Sequence, residues 1–205
     1  MLLPIHQTTE AFDEISSWSP LPPKLIGTHV FLTAFDPDQS NEILRFMTDE
    51  TVATGLGDHL YKAMTRQEEK DNLSRWGCNP EDGYSMFVWD IADQKVIGTC
   101  CLFDIHPVNR SADISINIGD RVYQRKGRAT EALTLMLSYA FKTLNLHSVQ
   151  LEVFEYNEGA IQCYRKLGFT ESGKRRDARW VQGRYWDVIY MDILDREWLN
   201  SEPSK

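Results

Sequence analysis

Basic residues are the minority charge in this chain, with 22 Lys and Arg against 30 Asp and Glu, a formal net charge of −8 and a pI near 5.1. That balance argues against a nucleic-acid partner and for cationic ones, because a negative field attracts amines. Cysteine is scarce. Cys78, Cys100, Cys101 and Cys163 fit neither a disulfide framework nor paired zinc knuckles. Adjacent in a strand, Cys100 and Cys101 would point to opposite faces as small buried side chains. His6, His29, His59, His106 and His147 show no spacing that demands a metal, so no metal is expected. No apolar run nears the ~20 residues that cross a bilayer. The start, MLLPIHQTTEAF, has neither a basic n-region nor a sustained apolar h-region. The expectations are therefore no signal peptide, no membrane partner and a reducing cytoplasm. Gly-Lys-Ser/Thr is missing, and Gly127 stands alone where a dinucleotide fingerprint would need three glycines.

What is present suits one globular domain: 205 residues, 42% hydrophobic and 25% charged. No repeat, low-complexity tract or internal boundary interrupts it. Residues 1–24 include SWSPLPPK, whose prolines suit an extended arm and not a core element. The organisation expected is an N-terminal extension (1–24), a domain (25–198) and a C-terminal tail (199–205). THVFLTAF reads as a strand, PDQSNEILRFM as a short helix with Asp36 as a cap, and TRQEEKDNLSRW as a second, charged helix. YSMFVWDI and KVIGTCCLF, joined by ADQ, form an antiparallel hairpin. SADISINI alternates with period two, placing Ile114, Ile116 and Ile118 on one face and Asp113, Ser115 and Asn117 on the other. A helix through about Leu144 carries Leu133, Met136, Leu137, Ala140, Phe141 and Leu144 on one side. SVQLEVF is a strand. NEGAIQCYRKLGF is a helix capped by Asn157 and ended by Gly168. KRRDARWVQGRYWDVIYMDIL makes two strands around a Gln182-Gly183 turn. Strands outnumber what a doubly wound fold needs, and the hairpins make the sheet mixed.

Between the alternating strand and the first long helix lies YQRKGRATEAL. Glycine lets the backbone turn tightly, and the helix behind it offers unpaired N–H groups and a positive dipole end. A lone glycine before a helix is more often a charged surface turn. Here Gln124, Gly127 and Ala129 spell Gln-x-x-Gly-x-Ala, whose successive N–H groups form a nest for phosphate oxygens. Small Ala129 leaves room, and Arg125 and Arg128, flanking Lys126, would reach outer phosphates.

QRKGRATEAL, then YAFKTLNLHSVQLEVFEYNEGAIQCYRKLGF, then RWVQGRYWDVIYMDIL, in that order, resemble the GNAT superfamily of N-acetyltransferases. The branch is the one that includes ribosomal-protein N-terminal and spermidine acetyltransferases, and the likeness runs from about Lys24 to Trp198. The resemblance implies a single α/β (α+β) domain with a mixed, mostly antiparallel sheet of six to seven strands and about four helices. It implies acetyl-CoA as cosubstrate, its pyrophosphate on the backbone from Gln124 to Thr130, counting Arg125, Lys126, Gly127, Arg128 and Ala129. Ile116, Asn117 and Ile118 then meet the pantetheine arm, and Asn157 and Ala160 contact the cofactor from the second helix. IGDRVYQRKG is one residue longer than in many relatives, so a bulge would shift the loop. A homodimer is an open expectation.

Such an enzyme needs no nucleophile of its own, and Cys163 is set aside as an acyl carrier. An aliphatic amine of pKa ~10.4 is only about a thousandth deprotonated at pH 7, a deficit of ~4–5 kcal/mol. A base, a water chain or a desolvated site must offset it. Tyr164, one turn beyond Ala160, matches the family's general acid; read alone it is a packed aromatic. Asp113 stands where similar sequences carry a glutamate near the amine, as base, ammonium anchor or ordinary exposed carboxylate. The acceptor is a protein N-terminus, a polyamine or another small amine. The competing reading is a non-catalytic acyl-CoA-binding or regulatory module.

Overall fold

One mixed sheet organises the chain, with strands β1 (Leu25–Ile26), β2 (Val30–Ala34), β3 (Gly83–Asp90), β4 (Lys95–His106), β5 (Ser111–Ile118), β6 (Ser148–Phe154), β7 (Thr170–Val181) and β8 (Arg184–Leu194). The order is β1-β2-β3-β4-β5-β6-β8-β7. This computed structural model describes residues 9–36, 40–47, 50–55, 65–68, 70–71 and 83–201. Its α-helices are α1 (Thr9–Ser16), α2 (Ser40–Met47), α3 (Glu50–Gly55), α4 (Arg128–Ser138), α5 (Glu158–Lys166) and α6 (Asp195–Ser201). Eight strands and six such helices, among the described residues, exceed the expected six to seven and about four. Two-residue β1 and short α1 and α3 lie below what hydrophobic period can detect.

Neighbouring strands run antiparallel except β5 and β6. Those two need a crossover, which α4 supplies. Their pairing is brief: Ser111↔Ser148, Ala112↔Val149 and Asp113↔Gln150. β5 runs on to Ile118 with β4 beside it, and β6 runs on to Phe154 with β8 beside it. The sheet therefore opens into a wedge after Asp113 and Gln150, where five residues of β5 and four of β6 have no ladder between them.

Each face of the sheet is covered by a different core. On one face α4 and α5 bury Leu133, Met136, Leu137, Ile161 and Tyr164 against Ile114, Leu102, Val149 and Met191. Leu133, Met136 and Leu137 are fully enclosed, each contributing about 1.5–3 kcal/mol by burial. The apolar stripe read from the sequence continues past α4 through a π-helical turn, Tyr139–Thr143, that closes Leu144 N–H onto Tyr139 O at 3.0 Å. On the other face Ile15, Phe46 and Val52 pack on Phe31, Phe87 and Trp89.

That second core changes the reading of the N-terminal arm. Residues 9–16 form α1, Ile15 is 3% exposed, and Trp18 sits edge-on to Phe31 at 5.4 Å between ring centroids. The prolines that suggested an extended arm lie beyond this helix, at 20, 22 and 23, and do not prevent it. The charged helix expected over TRQEEKDNLSRW is helical at 66–68 and 70–71; its remainder, like His6, His59 and Cys78, lies outside the described residues. The hairpin turns hold as expected, with Gln182 at φ 51° and Gly183 at φ 80°. Among the described residues no helix is long and apolar enough to cross a membrane.

Candidate active site

A cleft of about 560 Å³ sits where β5 and β6 part, between the N-termini of α4 and α5. Ile116, Asn117 and Ile118 form one wall; Gln124, Arg125, Gly127, Arg128, Ala129 and Thr130 form the rim; Asn157, Ala160 and Tyr164 close the opposite side. Residues separated by nearly fifty positions thus converge on one space. Lys126 is exposed and does not line it, and neither does Asp113.

The rim follows from local geometry. Asp120 caps a 3-10 turn, Arg121–Tyr123, by accepting from Val122 N–H at 3.1 Å. Gln124 donates from Nε2 to Ile118 O at 3.0 Å, bracing the loop onto the end of β5. Arg125 and Gly127 both take positive φ, 58° and 80°. A methyl group at Gly127 would meet nothing within 4 Å, so that side of the turn faces open space. The first helical bond runs from Glu131 N–H to Gly127 O at 3.0 Å. The N–H groups of Arg128, Ala129 and Thr130 have no intrahelical acceptor and point out of the helix start. Such a cradle fits a diphosphate.

Arg128 does something the motif did not reveal. Its Nε donates to Asp90 Oδ2 at 2.7 Å, and Asp90, at the end of β3, is 1% exposed. The other Asp90 oxygen accepts Asp93 N–H at 3.1 Å. Arg128 therefore lines the rim while one edge of its guanidinium is held by a buried carboxylate. Nothing in the sequence marks Asp90, 38 residues upstream, as its partner.

Across the cleft, Asn157 caps α5 by accepting Ala160 N–H at 3.3 Å. Tyr164, two turns on, is 6% exposed and packs edge-on to Phe169 at 5.7 Å. Burial, with smaller effects from Cys163 and Cys100, pushes its hydroxyl well above the ordinary tyrosine value. It stays protonated at every physiological pH, so its hydroxyl keeps a proton to donate. Cys163 lines the cleft beside it, its sulfur 3.3 Å from Thr130 Oγ1. Burial raises that thiol too, against the opposing bond to Thr130, which keeps it from acting as a thiolate.

Asp113 occupies the last paired rung, at the apex of the wedge, on the sheet face opposite Ile114. Gln150 Nε2 donates to its Oδ1 at 2.6 Å. Partial burial lifts the Asp113 carboxyl above the usual range; the Gln150 bond opposes this, Asp104 and Glu152 add to it, and His106 counters them. Tyr164 belongs to the core on the other face. A phenol and a carboxylate thus belong to opposite faces of the sheet on either side of the wedge. Tyr156, missed in the sequence, also lines the cleft and donates its hydroxyl to Thr54 O at 2.7 Å, tying α3 to the rim.

A wedge in a mixed sheet beside a helix-start anion cradle is the construction of an acyl-CoA-binding transferase. Residues 29–170 match the acetyltransferase (GNAT) domain, and the chain belongs to that family. It is 37% identical over 114 residues to a spermidine N(1)-acetyltransferase of Vibrio cholerae, spanning 56% of this chain and 65% of that one. With the Escherichia coli K12 spermidine N(1)-acetyltransferase it shares 34% identity over 126 residues, 58% of this chain and 67% of the other. The crystal structure of the Vibrio cholerae spermidine N-acetyltransferase in complex with CoA and spermine superposes with a TM-score of 0.75 at 28% identity. That match covers 85% of this chain and all of that one.

Proposed function

We propose that the protein transfers the acetyl group of acetyl-CoA directly to a primary amine. The observation that carries this reading is the parting of β5 and β6 after Asp113↔Gln150, directly beside the N–H cradle of α4. Backbone groups of Ile116 to Ile118 on the side that β6 leaves, the Ile118 carbonyl already held by Gln124 Nε2, can hydrogen-bond an extended amide-bearing arm, while Gly127 to Thr130 hold its diphosphate. Acetyl-CoA supplies an activated thioester, so the enzyme's residues need only position, deprotonate and protonate.

Asp113 is the base or ammonium anchor. Its raised pKa moves it toward, though still below, that of an amine, and its place at the wedge apex lets it meet an acceptor arriving over the open sheet face. Tyr164 donates toward the leaving sulfur. A phenol of ordinary pKa ~10 is a weaker acid than a thiol at ~8.5, and burial weakens it further. Complete transfer to a free thiolate would run uphill, so Tyr164 acts best by hydrogen bonding as the sulfur's charge develops. Arg125 and Arg128 complement the phosphates from the rim.

The test is thiol release from acetyl-CoA across a panel of amines: peptide N-termini, polyamines and small amines. Turnover with at least one of them supports the reading. Tight acetyl-CoA binding with no acetylated product from any would make the chain a binding or regulatory module.

A further inference from the structure

The β7–β8 hairpin outruns the sheet. β6 pairs with β8 only as far as Phe154↔Val188, so the tip from 176 to 187 extends past it. Between 174 and 187 the sequence carries Lys174, Arg175, Arg176, Arg179 and Arg184 against Asp177 and Asp187, in a chain whose net charge is −8. Lys174 is matched by Glu155 and Asp187, at 3.5 and 3.1 Å. The arginines outnumber the acid that remains.

Those arginines cap an aromatic wall that reaches the cleft. Arg179 lies 5.1 Å over Phe154, Phe154 stacks on Tyr156 at 5.4 Å, Trp186 meets Tyr156 edge-on at 5.2 Å, and Arg184 covers Trp186 at 3.3 Å. Tyr156 is a cleft residue. Trp180 and Tyr185, one rung over, pair at 4.8 Å on the opposite face of the hairpin, 51% and 60% exposed. The wall itself, aromatic rings among arginines, has the make-up of a recognition surface.

At the other end of the same sheet face, Asp113 is accompanied by Asp104 and Glu152. Gln150, its partner, and Phe154 are four residues apart on β6, so the negative and positive ends are separated by about 13 Å. An extended peptide spans that in roughly four residues.

We propose that this face selects an acidic polypeptide: its N-terminal amine at Asp113, its acidic side chains three or four residues on at the hairpin arginines. The inference rests on the acetyl-transfer reading and names the acceptor class of that site. A polyamine is cationic along its whole length and satisfies only the Asp113 end. A nucleic acid satisfies only the arginine end, meets Asp104, Asp113 and Glu152 with its phosphates, and offers no basic amine.

The experiment measures binding and turnover separately on the full chain. Three fluorescent peptides with free N-termini are compared, acidic, isosteric amide and basic from the third residue onward, together with spermidine and a single-stranded oligonucleotide. The acidic peptide should bind, by anisotropy in the presence of CoA, at least about tenfold more tightly than its amide counterpart, and less so as salt rises. Arg176→Glu combined with Arg184→Glu, both exposed positions, should erase that preference and raise the acidic peptide's KM about tenfold. The KM for acetyl-CoA should not move. Equal binding of the three peptides, or tighter binding of spermidine or the oligonucleotide, overturns the proposal. So does a rise in acetyl-CoA KM with every acceptor, which would assign the arginines to the cofactor. Selective peptide binding without turnover of any amine would sink acetyl transfer and leave the docking surface standing.

Discussion

Asp113 and Gln150 face each other across the last rung that joins β5 to β6, with the Gln150 amide donating to the Asp113 carboxylate at 2.6 Å. Immediately beyond them the strands separate, so the carboxylate stands at the apex of the wedge. Desolvation by the sheet raises its pKa, and the Gln150 bond restrains that rise. In the proposed reaction the acceptor amine meets the enzyme at this pair.

Asp113→Asn keeps shape and hydrogen bonding but removes the charge and the proton acceptor. If Asp113 is the base, kcat falls by about 10²–10⁴-fold, and raising pH recovers part of it as more amine is already neutral. The wild-type acid limb should lie above the ordinary Asp value, because a raised pKa means the basic form is lost sooner as pH falls. If Asp113 only anchors the ammonium, KM rises for a cationic amine and kcat holds. A pH–rate profile of both proteins with one good acceptor separates these outcomes, and unchanged kinetics would return Asp113 to the status of a surface acid.

Tyr164→Phe retains the ring in its pocket and removes the hydroxyl. Turnover should drop by about 10²-fold or more with acetyl-CoA affinity nearly unchanged, since the lost contact forms at the departing sulfur. The loss should persist across pH, because the wild-type hydroxyl does not ionise in any working range. Full activity in the mutant would mean that water protonates the sulfur.

Gly127→Asp tests the cradle. The left-handed φ of 80° is tolerable for Asp as a single residue, and the new side chain enters open space, so the fold should survive. A carboxylate aimed at the phosphate position should weaken acetyl-CoA by at least about tenfold, measured by calorimetry. Undiminished affinity in a folded mutant would remove this loop from the binding site.

Asp90→Ala removes the buried partner of Arg128. Breaking a buried ion pair from one side costs about 3–5 kcal/mol. Because Arg128 is 17% exposed and can swing toward water or phosphate, the lower end is expected. Chemical denaturation should show that loss, and saturating acetyl-CoA should restore part of it by giving Arg128 a new anion. No change in denaturation midpoint would mean that the pair adds little beyond desolvation.

Much of this architecture was legible in order along the chain, because its causes are local. The alternation of Ile114, Ile116 and Ile118 sets one face of β5 within a single strand. Gly127 and Gly168 mark positive-φ positions, Asn157 caps the helix that starts beside it, and Gln182-Gly183 closes a hairpin two residues long. Each depends on a few neighbouring residues and on backbone sterics. The order of these segments was sufficient to suggest the family that the match over residues 29–170 establishes.

Other features belong to the tertiary structure alone. Whether Arg128 points at phosphate or at Asp90 depends on where the end of β3 lands, 38 residues away in sequence. The place at which β5 and β6 stop pairing is decided by competition, as β4 holds one strand and β8 the other, and no periodicity encodes it. Ile15 is buried because Phe31 and Trp89 leave a surface for α1 to cover, although the prolines that follow it spoke for an extended arm. The aromatic wall from Phe154 to Trp186 likewise joins residues of two elements that only the folded sheet brings together. Local propensity acts over a turn or a strand; ion pairs, wedges and walls need distant segments held in register by the whole core.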